Sequence, residues 1–84
     1  MRIYLQTRPD DGGTQRYYHL MLQEDLLEGW TLIKETGRQG ASGKISKQQF
    51  DNREDAEMAM LKLRDSQLKR GYHVVFVQGQ TRPE

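Results

Sequence analysis

Eighty-four residues hold one domain at most, with a thin core. Hydrophobic residues make up 35% of the chain and charged residues 30%, low apolar content for a globular protein, but the apolar residues recur in periodic runs, which argues for folding over disorder. A net charge of +1 disfavours a dedicated non-specific coat for nucleic acid, and the lack of cysteine removes disulfides, zinc–thiolate sites and cysteine nucleophiles together.

Residues 2–8, RIYLQTR, alternate with Ile3 and Leu5 on one face, and predict a strand. The opening MRIYLQTRPDD has no apolar core of the kind a signal peptide needs. No apolar run in the chain approaches the roughly 20 residues of a membrane helix. With the missing cysteines, these features point to a soluble cytoplasmic domain. Pro9 and the pair Gly12–Gly13 read as a turn. Residues 16–24, RYYHLMLQE, alternate again, with Tyr18, Leu20 and Leu22 on one face and Tyr17, His19 and Met21 on the other. The two runs predict an antiparallel hairpin. DLLEG is a short connection, read as a helical turn.

WTLIKETGR, residues 30–38, predicts a third strand with Trp30 and Leu32 toward the core. The loop RQGASG breaks the pattern, and its region's glycines, Gly37, Gly40 and Gly43, relax the backbone limits. KISKQQF, residues 44–50, resumes as a fourth strand. From Thr36 to Phe50 the chain carries Arg38, Lys44 and Lys47 and no acid; acids cluster elsewhere, at Asp10–Asp11, Glu24–Glu28 and Asp51–Glu57.

Asn52 predicts a helix N-cap, because its side-chain oxygen accepts from a free N–H of the first turn. Glu54, Asp55 and Glu57 follow where negative charge is favoured, and Arg64, Lys69 and Arg70 come late where cations are. Ala56, Met60, Leu63 and Gln67 form one helical stripe, widened by Ala59. Gly71 supplies the stop, so the helix spans 53–70. YHVVFV, residues 72–77, predicts a last strand, and residues 78–84 a frayed polar tail. The whole is one α+β domain: a mostly antiparallel sheet of four to five strands with one helix on one face.

An enzyme reading finds no support. His19 and His73 each stand in a strand without a ligand-spaced partner, so no metal or cofactor is expected. The serines lack a G-x-S-x-G setting. Gly37, Gly40 and Gly43 match neither the Rossmann fingerprint nor a P-loop, and no helix opens after them. Glu54, Asp55 and Glu57 are explained by the helix start. Catalytic residues are therefore none. The basic glycine corner reads as a solvated hairpin loop on composition alone, or as a surface for phosphate oxygens if its N–H groups and flanking cations face one way.

Three segments, taken in order and spacing, resemble the WGR domain family, which is named for a Trp-Gly-Arg tripeptide at the end of its third strand. RYYHLMLQEDL resembles the family's opening strand, GWTLIKETGRQG its central strand and motif, and FDNREDAEMAMLKLRDSQLKRGY its helix. The resemblance covers roughly residues 15–72. Thr36 stands where the motif has Trp, while Gly37 and Arg38 keep their places. Gln39 follows where relatives often have Ile, and Gln15 stands near the position of an Asn. WGR domains are known from DNA-dependent poly(ADP-ribose) polymerases, where they bind DNA near strand breaks, and from small stand-alone bacterial proteins, which this chain resembles. In the polymerases the Trp packs on the DNA backbone, a role with no counterpart at Thr36, and the Arg links DNA to neighbouring domains.

The resemblance implies a non-enzymatic module that contacts the DNA phosphate backbone, at ends or nicks, through Gly37, Arg38, Lys44 and Lys47, with Arg16, Lys69 and Arg70. The alternative is a protein-interaction module without DNA binding, anchored by Tyr17, His19 and Met21. Those three residues would equally serve as a bed for the helix, and Arg38 would equally pair with Glu35 or with loop carbonyls.

Overall fold

The structure is a computed structural model, and it describes residues 1–8, 13–27 and 29–79. Most of the predicted turn at 9–13 and nearly all of the predicted tail lie outside the described residues. Five strands, β1 (Arg2–Thr7), β2 (Arg16–Glu24), β3 (Trp30–Arg38), β4 (Lys44–Phe50) and β5 (Tyr72–Gln78), form one sheet in the order β4-β3-β2-β1-β5. Every neighbouring pair is antiparallel. The last strand thus pairs inside the sheet, against β1, with a bulge that leaves Val75 unpaired between Tyr4 and Leu5. The helix α1 (Arg53–Lys69) leaves the β4 edge and crosses one face to reach the β5 edge.

Alternation decides which side chains the helix covers. Ile3, Leu5, Tyr18, Leu20, Leu22 and Leu32 are buried beneath it and meet Ala56 and Met60 from its underside. Burying a side chain such as Leu20 contributes about 1.5–3 kcal/mol. Trp30 joins the same face, half-buried against the core, with the Arg53 guanidinium 5.3 Å above its ring. Tyr17, His19 and Met21 fall on the uncovered face, so they do not underlie the helix.

The helix ends follow the expected chemistry. Asn52 is extended, and its Oδ1 accepts from the Asp55 N–H at 2.9 Å. Arg70 caps the C-terminus, one residue earlier than predicted, and Gly71 follows at φ +98°, a left-handed conformation that suits glycine. The connection after β2 is a turn and not a helical one. Asp25 Oδ1 accepts from the N–H groups of Leu27 and Gly29 at 2.8 and 2.9 Å, and this Asx arrangement competes with helix.

Candidate nucleic-acid interface

The start of β2, the end of β3, the start of β4, the end of α1 and the start of β5 meet at one end of the sheet. Cross-strand register pairs Arg16 with Arg38, Tyr18 with Thr36, and Thr36 with Lys44. Paired residues share a face, and Tyr18 is under the helix, so Arg16, Arg38 and Lys44 stand on the helix side. Arg16, Thr36, Gly37, Arg38 and Tyr72 line an open depression of about 350 Å³ there.

Arg70 arrives from the end of the helix. Its charge acts on the Tyr18 hydroxyl, whose pKa is raised by burial and partly drawn back down by Arg70. Lys34, two residues before Thr36, lies with its ammonium 6.0 Å from the Tyr18 ring. None of Arg16, Lys34, Arg38, Lys44 and Arg70 makes an ion pair among the described residues. Five cations on this side of the sheet end, none of them ion-paired among the described residues, give it a positive potential that the net charge hides.

The glycines of the corner have separate jobs. A Cβ on Gly37 would stand 3.0 Å from the Gly43 Cα and 3.2 Å from the Tyr17 hydroxyl. A Cβ on Gly43 would collide with that same hydroxyl. Both positions are bare because the Tyr17 side chain lies across them, with its hydroxyl donating to Glu35 Oε2 at 3.0 Å. Gly40 alone of the three has a positive φ, +85°, which the turn after Arg38 requires. That turn is closed by the Ala41 N–H donating to the Arg38 carbonyl at 3.1 Å, and the Gln39 N–H donates to the Gln15 carbonyl at 2.9 Å. Gln39 Nε2 also donates to the Tyr4 hydroxyl at 2.8 Å. The loop is therefore tied down without the Arg38 side chain. Glu35 is on the other face and engaged by Tyr17, so the alternative pairing of Arg38 with Glu35 does not form, and Arg38 stays exposed.

Not every predicted residue joins the cluster. Lys47 pairs with Ile33 and so alternates to the uncovered face, although it borders a second depression with Lys34, Ser46 and Gln48. Lys69 is exposed two residues beyond the buried Gln67, on the solvent side of the helix. Sequence reasoning missed Lys34 and Tyr72. Lys34 has the same strand parity as Thr36 and Arg38, a signal present in the sequence. Tyr72 is brought in by the path of β5 and has no local signal.

On the uncovered face, Tyr17, His19 and Met21 lie beside further aromatics. Tyr4 stacks on Phe76 at 5.5 Å and on Tyr17 at 6.0 Å, and His19 meets the Tyr4 ring edge-on at 5.3 Å. The pKa of His19 is lowered, first by burial and then by the Arg2 guanidinium, with Glu35 opposing. Burial, followed by the hydrogen bond to Glu35, raises the pKa of the Tyr17 hydroxyl. Among the described residues no group of three or more His, Cys, Asp or Glu could hold a metal ion, and no helix is long and apolar enough to cross a membrane.

A family model described as the WGR domain matches residues 1–78, a longer span than the three segments that carried the resemblance. No curated protein matches the chain. The matched family is known as a nucleic-acid-binding module, a binding domain and not a catalytic one.

Proposed function

We propose, from the premise that this chain belongs to the WGR domain family, that it is a non-enzymatic module that holds the DNA phosphate backbone at the Gly37–Arg38 corner. The observation that supports this reading is the pair Arg16 and Arg38 lining one open depression, with Lys44 in register beside Thr36, Lys34 and Arg70 close to Tyr18, and none of the five in an ion pair among the described residues. Unpaired guanidinium and ammonium groups are the chemistry that phosphate oxygens take, and Arg offers two parallel donors per contact. Such contacts fix position and carry no base sequence, so the module binds DNA of any sequence. Lys69 adds charge from the helix end, and Lys47 contributes around the β4 edge to a duplex that passes it.

The test is an anisotropy titration of nicked, blunt and single-stranded DNA at low and moderate salt, with the wild type and Arg38→Ala. Binding that weakens with salt and drops in the variant for every sequence is the expected result. An Arg38→Ala protein that binds as tightly as wild type removes the corner from the interface.

The aromatic group Tyr4, Tyr17, His19 and Phe76 on the uncovered face supports a second reading, a protein contact anchored by Tyr17, His19 and Met21. Aromatic anchors dominate such contacts. A partner recovered by the wild type and lost with Tyr17→Ala, in a protein that binds no DNA, would favour it.

A further inference from the structure

The depression at the corner is not uniformly cationic. Its wall includes the ring of Tyr72, which stands at the start of β5, half-buried, and meets the Tyr18 ring at 5.8 Å and 76°. Tyr18, against which it packs, is itself buried. Tyr72 is therefore the aromatic residue that borders the open space, together with Arg16 and Arg38. An uninterrupted duplex offers phosphates to the cations, but its bases are stacked on one another and cannot reach a ring in a depression. An unpaired nucleotide offers both: an anionic phosphate for the guanidinium groups and a base face for the tyrosine. A volume of about 350 Å³ lies at the low end of the range for small-ligand sites and suits one nucleotide unit, not a run of them.

We infer that Tyr72 stacks on an unpaired base whose phosphate is held by Arg16 and Arg38, so that the module prefers DNA with an unpaired nucleotide over continuous duplex. This rests on the backbone-binding reading of the same corner and adds to it a residue that distinguishes one DNA structure from another. Base stacking tolerates any base, because every base has a π-face, so the preference is for strand structure and not for sequence. The Tyr72 hydroxyl is not required; the ring is.

The experiment compares a continuous duplex with the same duplex bearing a short single-stranded overhang that contains 2-aminopurine, titrated with wild type, Tyr72→Leu, Tyr72→Phe and Arg38→Ala. Tyr72→Leu keeps an apolar side chain against Tyr18, and thermal melting confirms that each variant folds. The expected result is tighter wild-type binding to the overhang than to the duplex, with quenching of the 2-aminopurine. Tyr72→Leu should lose about ten-fold on the overhang, the scale of one stacked base, and lose the quenching, a larger loss than on the duplex. Tyr72→Phe should retain both. Equal loss on duplex and overhang, or quenching that survives Tyr72→Leu, overturns the stacking assignment while Arg38-dependent binding leaves the backbone reading standing. Absence of binding to either DNA by the wild type overturns both.

Discussion

At the scale of single residues, the corner is shaped by what Tyr17 needs. Its side chain lies across Gly37 of β3 and Gly43 just before β4, and ends on Glu35, so these two glycines are explained by packing before any ligand is considered. Gly43→Ala is expected to destabilise the fold by about 1–3 kcal/mol through overpacking. A double-mutant cycle checks the cause: combined with Tyr17→Leu, the same alanine should be nearly neutral in thermal melts. His19 gives a second prediction. Its folded pKa lies below the ordinary value of 6.5, so below that value the unfolded chain binds more protons than the folded one. The stability that neutral His19 contributes is complete above pH 6.5 and is lost as the pH falls through the folded pKa. The groups around it are Arg2, Tyr4, Glu35 and Phe76. Melting midpoints between about pH 7 and pH 5.5 should fall more steeply for wild type than for His19→Phe, a window above the ordinary carboxylate range; parallel curves would show that His19 plays no part.

At the scale of elements, the strands and the helix were legible in the sequence because their signals are local. The alternation of Ile3 and Leu5, and of Tyr18, Leu20 and Leu22, marks the core face directly, and Asn52 and Gly71 bracket the helix within one residue. Asn52→Ala removes the acceptor for the Asp55 N–H and should cost about 1 kcal/mol, read in denaturant melts as a lower midpoint at unchanged slope. The site was less legible. Which cations converge depends on the register between strands and on where the helix ends, and neither is a local property. Parity did hold part of the answer: Lys44 and Lys47 are three apart and so cannot share a face, while Lys34, Thr36 and Arg38 can. The partnering of Tyr72 with Arg16 and Arg38 needed the path of β5 beside β1, which no spacing in the sequence encodes. The Leu26–Leu27 turn shows the opposite failure. Its leucines invite a helical reading, but the Asp25 carboxylate captures the local N–H groups and leaves both leucines exposed.

At the scale of the whole molecule, a net charge near zero conceals a separation of charge. Arg16, Arg38, Lys44, Lys69 and Arg70 lie toward one end of the sheet and helix, and Glu24, Asp25, Asp51, Glu54, Asp55 and Glu57 toward the other. The fold places them so because β2 runs from Arg16 to Glu24 while the helix runs back from an acidic first turn to a basic last one. The helix dipole favours that arrangement, and Arg16, Arg38, Lys44, Lys69 and Arg70 make no ion pair among the described residues. A backbone-binding end of this kind makes a quantitative demand. With about three to five phosphate contacts, log K on duplex DNA should fall against log salt with a slope of about −3 to −4.5. The most direct measurement is that slope for wild type, Arg38→Ala and Lys62→Ala, the last removing the same charge from the exposed outer side of the helix. A slope smaller by about 0.9 in Arg38→Ala, with Lys62→Ala at the wild-type value, is the result predicted for a site at the corner. Equal slopes in all three proteins, or equal losses from the two alanine variants, would contradict it.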